Sequence, residues 1–369
     1  MTSNQENKLN HHVLKWIYTL TIMILMMVVI GGITRLTGSG LSIVEWKPLM
    51  GAIPPLNHEQ WLEVFLKYQQ SPQYQLVNKG MSLPEFQWIF FWEYTHRLIG
   101  RTLGLIFLIP LIYFYSKKIL SKKWVLKLSI GFGLGGLQGV MGWVMVASGL
   151  VSEPQVSHYR LAAHLLLALG ILIYFLKLSF NWKSEQLSNS KVALANNNQN
   201  DLDLDLDLNS NLNLLSVPFN ILLGLIIFQI FYGALVAGLR AGFMMPTFPL
   251  MGGQFFPNGG MLFTPIWKNF FENPLTVQWI HRIIAWLIFF SIWIIFIKFN
   301  KILSRQLKNN FLILFGLVNF QFFLGILTLI SGVYIPFAVL HQLTAFIVAM
   351  AAFQTKWSLQ KEVKQTIIN

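Results

Sequence analysis

The sequence predicts an all-α integral membrane protein whose eight transmembrane helices form two pseudo-symmetric four-helix bundles. Three observations carry this. Only 11% of residues are charged against 54% hydrophobic, and the mean hydropathy is +0.55, a balance foreign to soluble domains. Runs free of Asp, Glu, Lys and Arg, such as Trp16 to Thr34, Leu128 to Ser152 and Asn309 to Thr355, are long enough to cross a bilayer at about 20 residues per span. The chain also writes one phrase twice, FWEYTHRLIG at 91–100 and VQWIHRIIAW at 277–286.

The first run, 16–34, is longer than a signal-peptide core. It is followed by RLTGSG instead of a small-residue cleavage site, so it is expected to be retained as the first span. The loop at 35–90 contains HEQWLEVFLKY, whose Trp61, Leu62, Phe65 and Tyr68 share one helical face, as expected of a lid lying along the membrane interface. Spans two to four are expected at 88–116, 128–148 and 159–180. The third carries Gly131, Gly133, Gly135, Gly136, Gly139 and Gly142, small residues that let neighbouring backbones approach. Residues 181–215, with NNNQNDLDLDLDLNSNLNLL, read as an unpacked low-complexity linker. The last four spans are expected at 216–238, 275–297, 309–331 and 335–355, the final two separated by Ser331-Gly332 and Pro336. Between the fifth and sixth, the Pro-, Gly- and Phe-rich stretch 239–274 reads as a cap with a buried face.

The linker divides the chain into repeats at 1–180 and 216–369. His96-Arg97 matches His281-Arg282, and Gln138, Gly142 and Ser148-Gly149 match Gln321, Gly325 and Ser331-Gly332. His164 and His341 fall in equivalent places, and GGITRLTGSG at 31–40 parallels GALVAGLRAG at 233–242. With an even number of spans in each, both repeats enter from one side, related by an axis along the membrane normal.

A net charge of +13 would suit nucleic acid in a soluble protein; here it reads as orientation. With the N terminus inside, 17 of the 27 basic residues fall on inner segments, so both termini are expected in the cytoplasm, or in a mitochondrial matrix. The chain has no cysteine, which removes disulfides, Fe–S clusters, cysteine zinc sites and thiolate-ligated haem together. Histidine is what remains for a metal.

His11, His12, His58 and His158 lie at helix ends or in a loop. His96, His164, His281 and His341 sit one on each even-numbered span, near its start, and so are expected at similar depth. Two readings stand for them. Buried histidines are often structural, but imidazoles paired within a bundle and matched between bundles, without thiolates or clustered carboxylates, suit haem iron better than zinc. Arg97 and Arg282, with Arg101 a turn from Arg97, are placed to reach haem propionates or to snorkel at the interface. Glu93 lies one turn before His96, where the second repeat has Gln278. A carboxylate beside only one of two similar sites points to proton handling or substrate positioning there, and to electron carriage at the other.

The segments GGITRLTGSGLSIVEWKPLMGAIPP (31–55), FWEYTHRLIGR (91–101), YRLAAHL (159–165), GALVAGLRAG with TFPLM (233–251) and QWIHR (278–282) resemble the haem A synthase family over nearly the whole chain. The resemblance implies an eight-helix enzyme that oxidises the C8 methyl of haem o to the formyl group of haem a for cytochrome c oxidase, through an alcohol and a gem-diol. It implies that His281 and His341 ligate a resident haem b, that His96 and His164 flank the haem o substrate, and that Glu93 is needed for turnover. It further implies a redox donor such as a ferredoxin, contacts with haem o synthase and oxidase assembly factors, and a lipid surround, and it leaves open a homo-oligomer. The family's bacterial members point to the bacterial inner membrane ahead of the mitochondrial one, in line with the lack of an Arg-rich presequence. This chain departs from the family pattern in lacking the loop cysteine pair of some branches and in carrying Met245-Pro246 before Thr247.

Three other functions fit part of these residues. A di-haem electron carrier would use the same four histidines but leaves Glu93 unexplained. A repeat-built transporter would place polar groups at the bilayer midplane. Haem farnesylation would need Asp-rich motifs, and the only aspartates are Asp201, Asp203, Asp205 and Asp207 in the linker.

Overall fold

The computed structural model describes residues 3–45, 53–149, 154–192, 206–300 and 303–368. Trp46 to Ala52 of the first family segment and residues 193–205 of the acidic linker lie outside them. The described chain is helical: α1 (Ser3–Leu36), α2 (His58–Gln69), α3 (Pro72–Leu76), α4 (Leu83–Ser116), α5 (Lys122–Gly149), α6 (His158–Val192), α7 (Leu206–Gly238), α8 (Asn269–Glu272), α9 (Pro274–Phe299), α10 (Arg305–Ile330) and α11 (Ile335–Ile368). Eight of these, α1, α4–α7 and α9–α11, are long and apolar enough to cross a membrane, one for each expected span. The protein is a multi-pass, all-α membrane protein.

Several helices overrun their expected limits. α4 starts at Leu83 because the Glu85 carboxylate accepts hydrogen bonds from the Ser82 N–H at 2.8 Å and its hydroxyl at 2.7 Å, with Pro84 in the first turn. Its 34 residues span about 51 Å at 1.5 Å per residue, more than the hydrocarbon thickness. α6 continues through residues expected to be unpacked linker. There the buried Trp182 stacks edge-on to Trp124 and donates to the Asn10 carbonyl at 3.0 Å, while Glu185 accepts from the Trp124 indole at 2.6 Å. Burying two indoles outweighs the polar composition of this stretch.

The chain forms two compact units, Met1–Ala193 and Leu194–Asn369. In the first, α1 packs against α4 and α6, and α5 against the same two, closing a ring of four helices. In the second, α7 packs against α9 and α11, and α10 against the same two. The cyclic order is therefore identical. Of the glycines on α5, Gly131 meets Phe175 and Gly142 meets His164, whereas Gly133, Gly135, Gly136 and Gly139 face no atom within 4 Å of where a Cβ would stand. Close packing thus accounts for two of the six and not, as expected, for most.

The two loops that follow the first span of each unit differ in build. In the first, Trp61, Phe65 and Tyr68 of α2 pack on Phe86 and Phe90 of α4, while Leu62, expected on the same helical face, is 40% exposed. Spacings of four and three residues put 61, 65 and 68 on one stripe, and 62 lies off it. In the second, Asn269 and Asn273 are buried and hold the loop through carbonyls of Phe263, Ile266, Gly259 and Gly260. Most of its large apolar side chains are not the buried face expected: Phe255 is 68% and Leu262 75% exposed, while Ala241, Met251 and Pro257 are buried.

Candidate functional site

His96, His164, His281 and His341 stand on α4, α6, α9 and α11, facing into their own units. His96 lies farther from its helix start than the others because α4 begins early, at Leu83. Each imidazole rests against a glycine of the span before it. A Cβ on Gly31 would stand 3.0 Å from His96 Cε1, one on Gly142 3.2 Å from His164, one on Gly233 3.2 Å from His281 and one on Gly325 2.9 Å from His341. The last is closer than a Cβ normally comes and the other three are tighter than most such contacts, so a methyl would press on each ring, and glycine lets each imidazole lie against the neighbouring backbone. In all four rings Nδ1 is buried without a hydrogen-bond partner.

Glutamines stand one turn before three of these glycines. Gln138 Nε2 is 3.2 Å from His164 Nε2 and donates to the His164 carbonyl at 3.1 Å. Gln229 Nε2 is 3.2 Å from His281 Nε2, and Gln321 donates to the His341 carbonyl at 3.0 Å. Within each unit the two imidazoles are near enough for the charge on one to be felt by the other, His96 with His164 and His281 with His341.

Glu93 is 3% exposed and fully engaged. Its Oε2 accepts from the Ser42 hydroxyl at 2.7 Å and the Ile43 N–H at 2.9 Å, and its Oε1 from Arg97 Nη2 at 2.5 Å. Arg97 also donates to the carbonyls of Ile43 at 3.0 Å and Glu45 at 3.3 Å. In the second unit Arg282 donates to the carbonyls of Met245 and Thr247, both at 2.6 Å, and Gln278 to that of Met245 at 3.2 Å. The sequence expectation placed both arginines to reach propionates or to snorkel at the interface; in the structure their terminal nitrogens donate to loop carbonyls, and in Arg97 also to Glu93, while Arg282 Nε is buried without a partner. Arg101 is half-buried one turn along α4. A small cleft of about 40 Å³ opens beside Arg97, between Ile43–Glu45 and Trp143, Val146 and Ala147 of α5.

The remaining histidines stay apart from this arrangement. His11, His12 and His58 are exposed, and the His158 ring lies against that of Tyr159, centroids 4.1 Å apart and planes tilted by 40°. Gly31, Gly233 and Gln229 escaped the sequence reading as site residues. The signal was present, because Gln-x-x-x-Gly occurs at 138–142, 229–233 and 321–325, each ahead of a histidine on the next span.

Among the described residues, no three His, Cys, Asp or Glu side chains converge to hold a bare metal ion. What each unit offers is two buried imidazoles on opposite helices of its ring, each with an Nδ1 that makes no hydrogen bond, and no thiolate. That set fits an iron already carrying four equatorial ligands, which is to say a haem.

Comparison with known proteins gives the family. Residues 14–353 match the family model described as Cytochrome oxidase assembly protein. The chain is 42% identical over 342 residues to a heme A synthase of Wolbachia sp. subsp. Brugia malayi, covering 93% of this chain and 95% of that one. It is 42% identical over 349 residues to a heme A synthase of Nitrosospira multiformis, with 94% and 93% covered, and 46% over 285 residues to one of Parvibaculum lavamentivorans, with 76% and 75% covered. With a match running through nearly all of both units, this chain belongs to the cytochrome oxidase assembly protein family of heme A synthases.

Proposed function

We propose that this chain is a haem A synthase, which oxidises the C8 methyl of haem o to the formyl group of haem a. The observation that carries the reading is an asymmetry: two matched histidine pairs, with a buried carboxylate one turn from a histidine in only one of them. His281 and His341 hold a resident haem b, which supplies electron transfer. His96 and His164 bracket the substrate haem o. The methyl passes through an alcohol to a gem-diol, which loses water to leave the aldehyde. Each of the two oxidations removes two electrons from that carbon and so needs an oxidant; with O2 in that role, a redox donor of the ferredoxin class supplies two further electrons per oxidation, reducing the second oxygen atom to water.

The chain's own residues set the stage for that chemistry. The four glycines let the imidazoles sit against backbone, which fixes their height and excludes water. Glu93 holds Arg97 and the Ser42–Ile43 backbone on one carboxylate, and the Ser42 hydroxyl on its Oε2 gives it a partner through which a proton can move. Arg97, Arg101 and Arg282 supply positive charge for the propionates, with the unpartnered Arg282 Nε one free donor. The bias of basic residues supports cytoplasmic termini, and the bacterial relatives support the bacterial inner membrane.

Pigment extraction tests the reading. In Glu93→Ala, haem b should remain bound while haem a disappears and haem o or its hydroxylated form accumulates; haem a at the wild-type level would refute the role of Glu93. In His281→Ala and His341→Ala the resident haem b should be lost, and full haem b content in both would refute the cofactor assignment.

A further inference from the structure

The seam between the second and third spans of each unit is filled in one and open in the other. In the second unit α9 and α10 close through aromatic rings: Phe289 lies 4.5 Å from Phe322, and Trp286 4.7 Å from that same ring, centroid to centroid. One turn further, Trp293 packs on Phe315 at 4.9 Å and donates to Asn319 at 3.1 Å. The register that sets His96 on His281 and Gly142 on Gly325 carries Phe289 onto Gly104, Phe322 onto Gly139 and Asn319 onto Gly136. A Cβ on any of these three glycines would meet no atom within 4 Å, so the space stays open. Small residues in a membrane helix ordinarily let a neighbouring backbone come close, and here none does. Each glycine is also a poorer helix former than the alanine that would fit. The gap is bounded, because Phe107 and Phe132 meet at 5.2 Å one turn further along the seam. It also adjoins the first histidine pair. Gly104 is two turns along α4 from His96, about 12 Å at 1.5 Å per residue, and Gly139 and Gly136 stand one and two turns before Gly142, which cradles His164. Gly136 and Gly139 are exposed, so the gap opens toward lipid.

We propose that the open seam between α4 and α5 is the slot that admits the farnesyl tail of haem o, with Gly104, Gly136 and Gly139 as the residues that set this specificity. Haem o carries that long branched hydrocarbon and haem b does not. Because α4 and α6 stand opposite each other in the ring of four helices, a macrocycle held between His96 and His164 has one edge along α5. A tail on that edge meets the seam without leaving the bilayer. Between Arg101, which stands where the second unit has Trp286, and the Phe107–Phe132 pair, the three glycines present only hydrocarbon. An apolar tail gains little by exchanging lipid for an apolar wall, so the slot acts by admission: the ring pair of the second unit would exclude the tail by overpacking. A resident haem b has no tail to house, and its unit is free to fill the seam.

This rests on the assignment of the first pair as the substrate site, and the test separates the two. Haem o and haem b are titrated in turn into the purified full chain carrying its resident haem, and uptake at the first pair is assigned by its loss in His164→Ala. Wild-type protein should take up both. The double variant Gly104→Phe, Gly139→Phe rebuilds the ring pair of the second unit; it should weaken haem o uptake by about tenfold or more and leave haem b uptake unchanged. An equal loss of both haems, or a loss of neither, would overturn the slot. Gly104→Cys and Gly139→Cys keep the test sharp if two large rings disturb the bundle, since the chain has no other cysteine and a lipid-soluble maleimide then reports the seam alone. Haem o should protect both positions and haem b neither. Labelling that haem o leaves unchanged, that haem b blocks equally, or that is already blocked without added haem would give the seam to another occupant and overturn the proposal. Haem o uptake that survives in His164→Ala would instead place the failure in the assignment of the first pair.

Discussion

The two units grip the loops that follow their first spans with the same arginine, yet one turn before the histidine they differ by a single functional group. Arg97 holds the carbonyls of Ile43 and Glu45, and Arg282 those of Met245 and Thr247, loop positions that correspond between the repeats. Beside Arg97 stands Glu93, and beside Arg282 stands Gln278, of nearly the same shape. The second unit shows that clamping the loop needs no carboxylate. Arg282 is stable there without an acidic partner in contact, and Gln278 helps by donating to Met245. A buried carboxylate carries a desolvation penalty that a carboxamide avoids, so loop closure alone does not account for Glu93. On the proposed reading, the carboxylate serves the reaction carried out in the first unit, which the second unit does not perform.

Exchanging the two groups is the strongest way to break this comparison. Glu93→Gln should leave the loop held as it is in the second unit and haem content near normal, while haem a formation falls by at least about a hundredfold, the scale of a lost acid–base group. Gln278→Glu should not create a second reactive site. Haem analysis of membranes from both variants decides the matter, and substantial haem a from Glu93→Gln would reduce the carboxylate to a structural residue.

A smaller effect tests whether the histidine cradles are equivalent in the two halves. Gly325→Ala places a methyl 2.9 Å from His341 Cε1, and Gly142→Ala one at 3.2 Å from His164 Cε1. Overpacking of this kind costs about 1–3 kcal/mol, enough to lower haem occupancy by roughly tenfold if it falls on the ring's position. Gly139→Ala, which meets nothing within 4 Å, should leave occupancy unchanged. Haem-to-protein ratios after purification report all three, and a loss in Gly139→Ala as large as in the other two would show that helix α5, not the cradle, sets the result.

Much of this arrangement could be read from residue order. Charge-free runs fixed the number of spans because a bilayer admits few alternatives to a long apolar helix. The duplicated His-Arg phrase exposed the pairing, and Glu93 against Gln278 exposed the asymmetry. Three things were hidden, each for a physical reason. The helical state of 181–192 depends on Trp182 finding Trp124 across the unit, a tertiary contact that local polarity conceals. The partners of Glu93 lie some 50 residues earlier, in a loop whose path no periodicity predicts. The glycine cradles became meaningful only once each glycine could be set beside the histidine of the next span, although Gln-x-x-x-Gly recurs plainly enough at 138, 229 and 321.

The smallest expected effect probes the one element that the first unit has and the second lacks, the packed pair α2 and α3. The Tyr68 hydroxyl donates to Gln73 Oε1 at 3.1 Å and accepts from Asn78 Nδ2 at 2.7 Å, and Gln73 in turn donates to the Gly38 carbonyl at 2.8 Å. Ser39 follows directly and accepts from the Ser42 N–H at 3.1 Å, so this network leads to the hydroxyl that sits on Glu93. Tyr68→Phe keeps the ring against Phe86 but strands two polar groups, at a cost of about 1 kcal/mol. Haem a formation should fall by a few-fold at most, with haem content intact. Burial raises the Tyr68 phenol above its ordinary value, because the ionised form is penalised away from water. A group whose folded value is raised contributes stability that is complete below its unfolded value, about 10 for tyrosine, and that drains away as pH climbs toward the folded value. Proteolytic protection of the α2–α3 segment should therefore hold at neutral pH and fail above about pH 10 in wild-type protein. In Tyr68→Phe it should start lower and lose that alkaline step; a wild-type-like step in the variant would assign the transition to another group and detach the extra packing from the behaviour of Glu93.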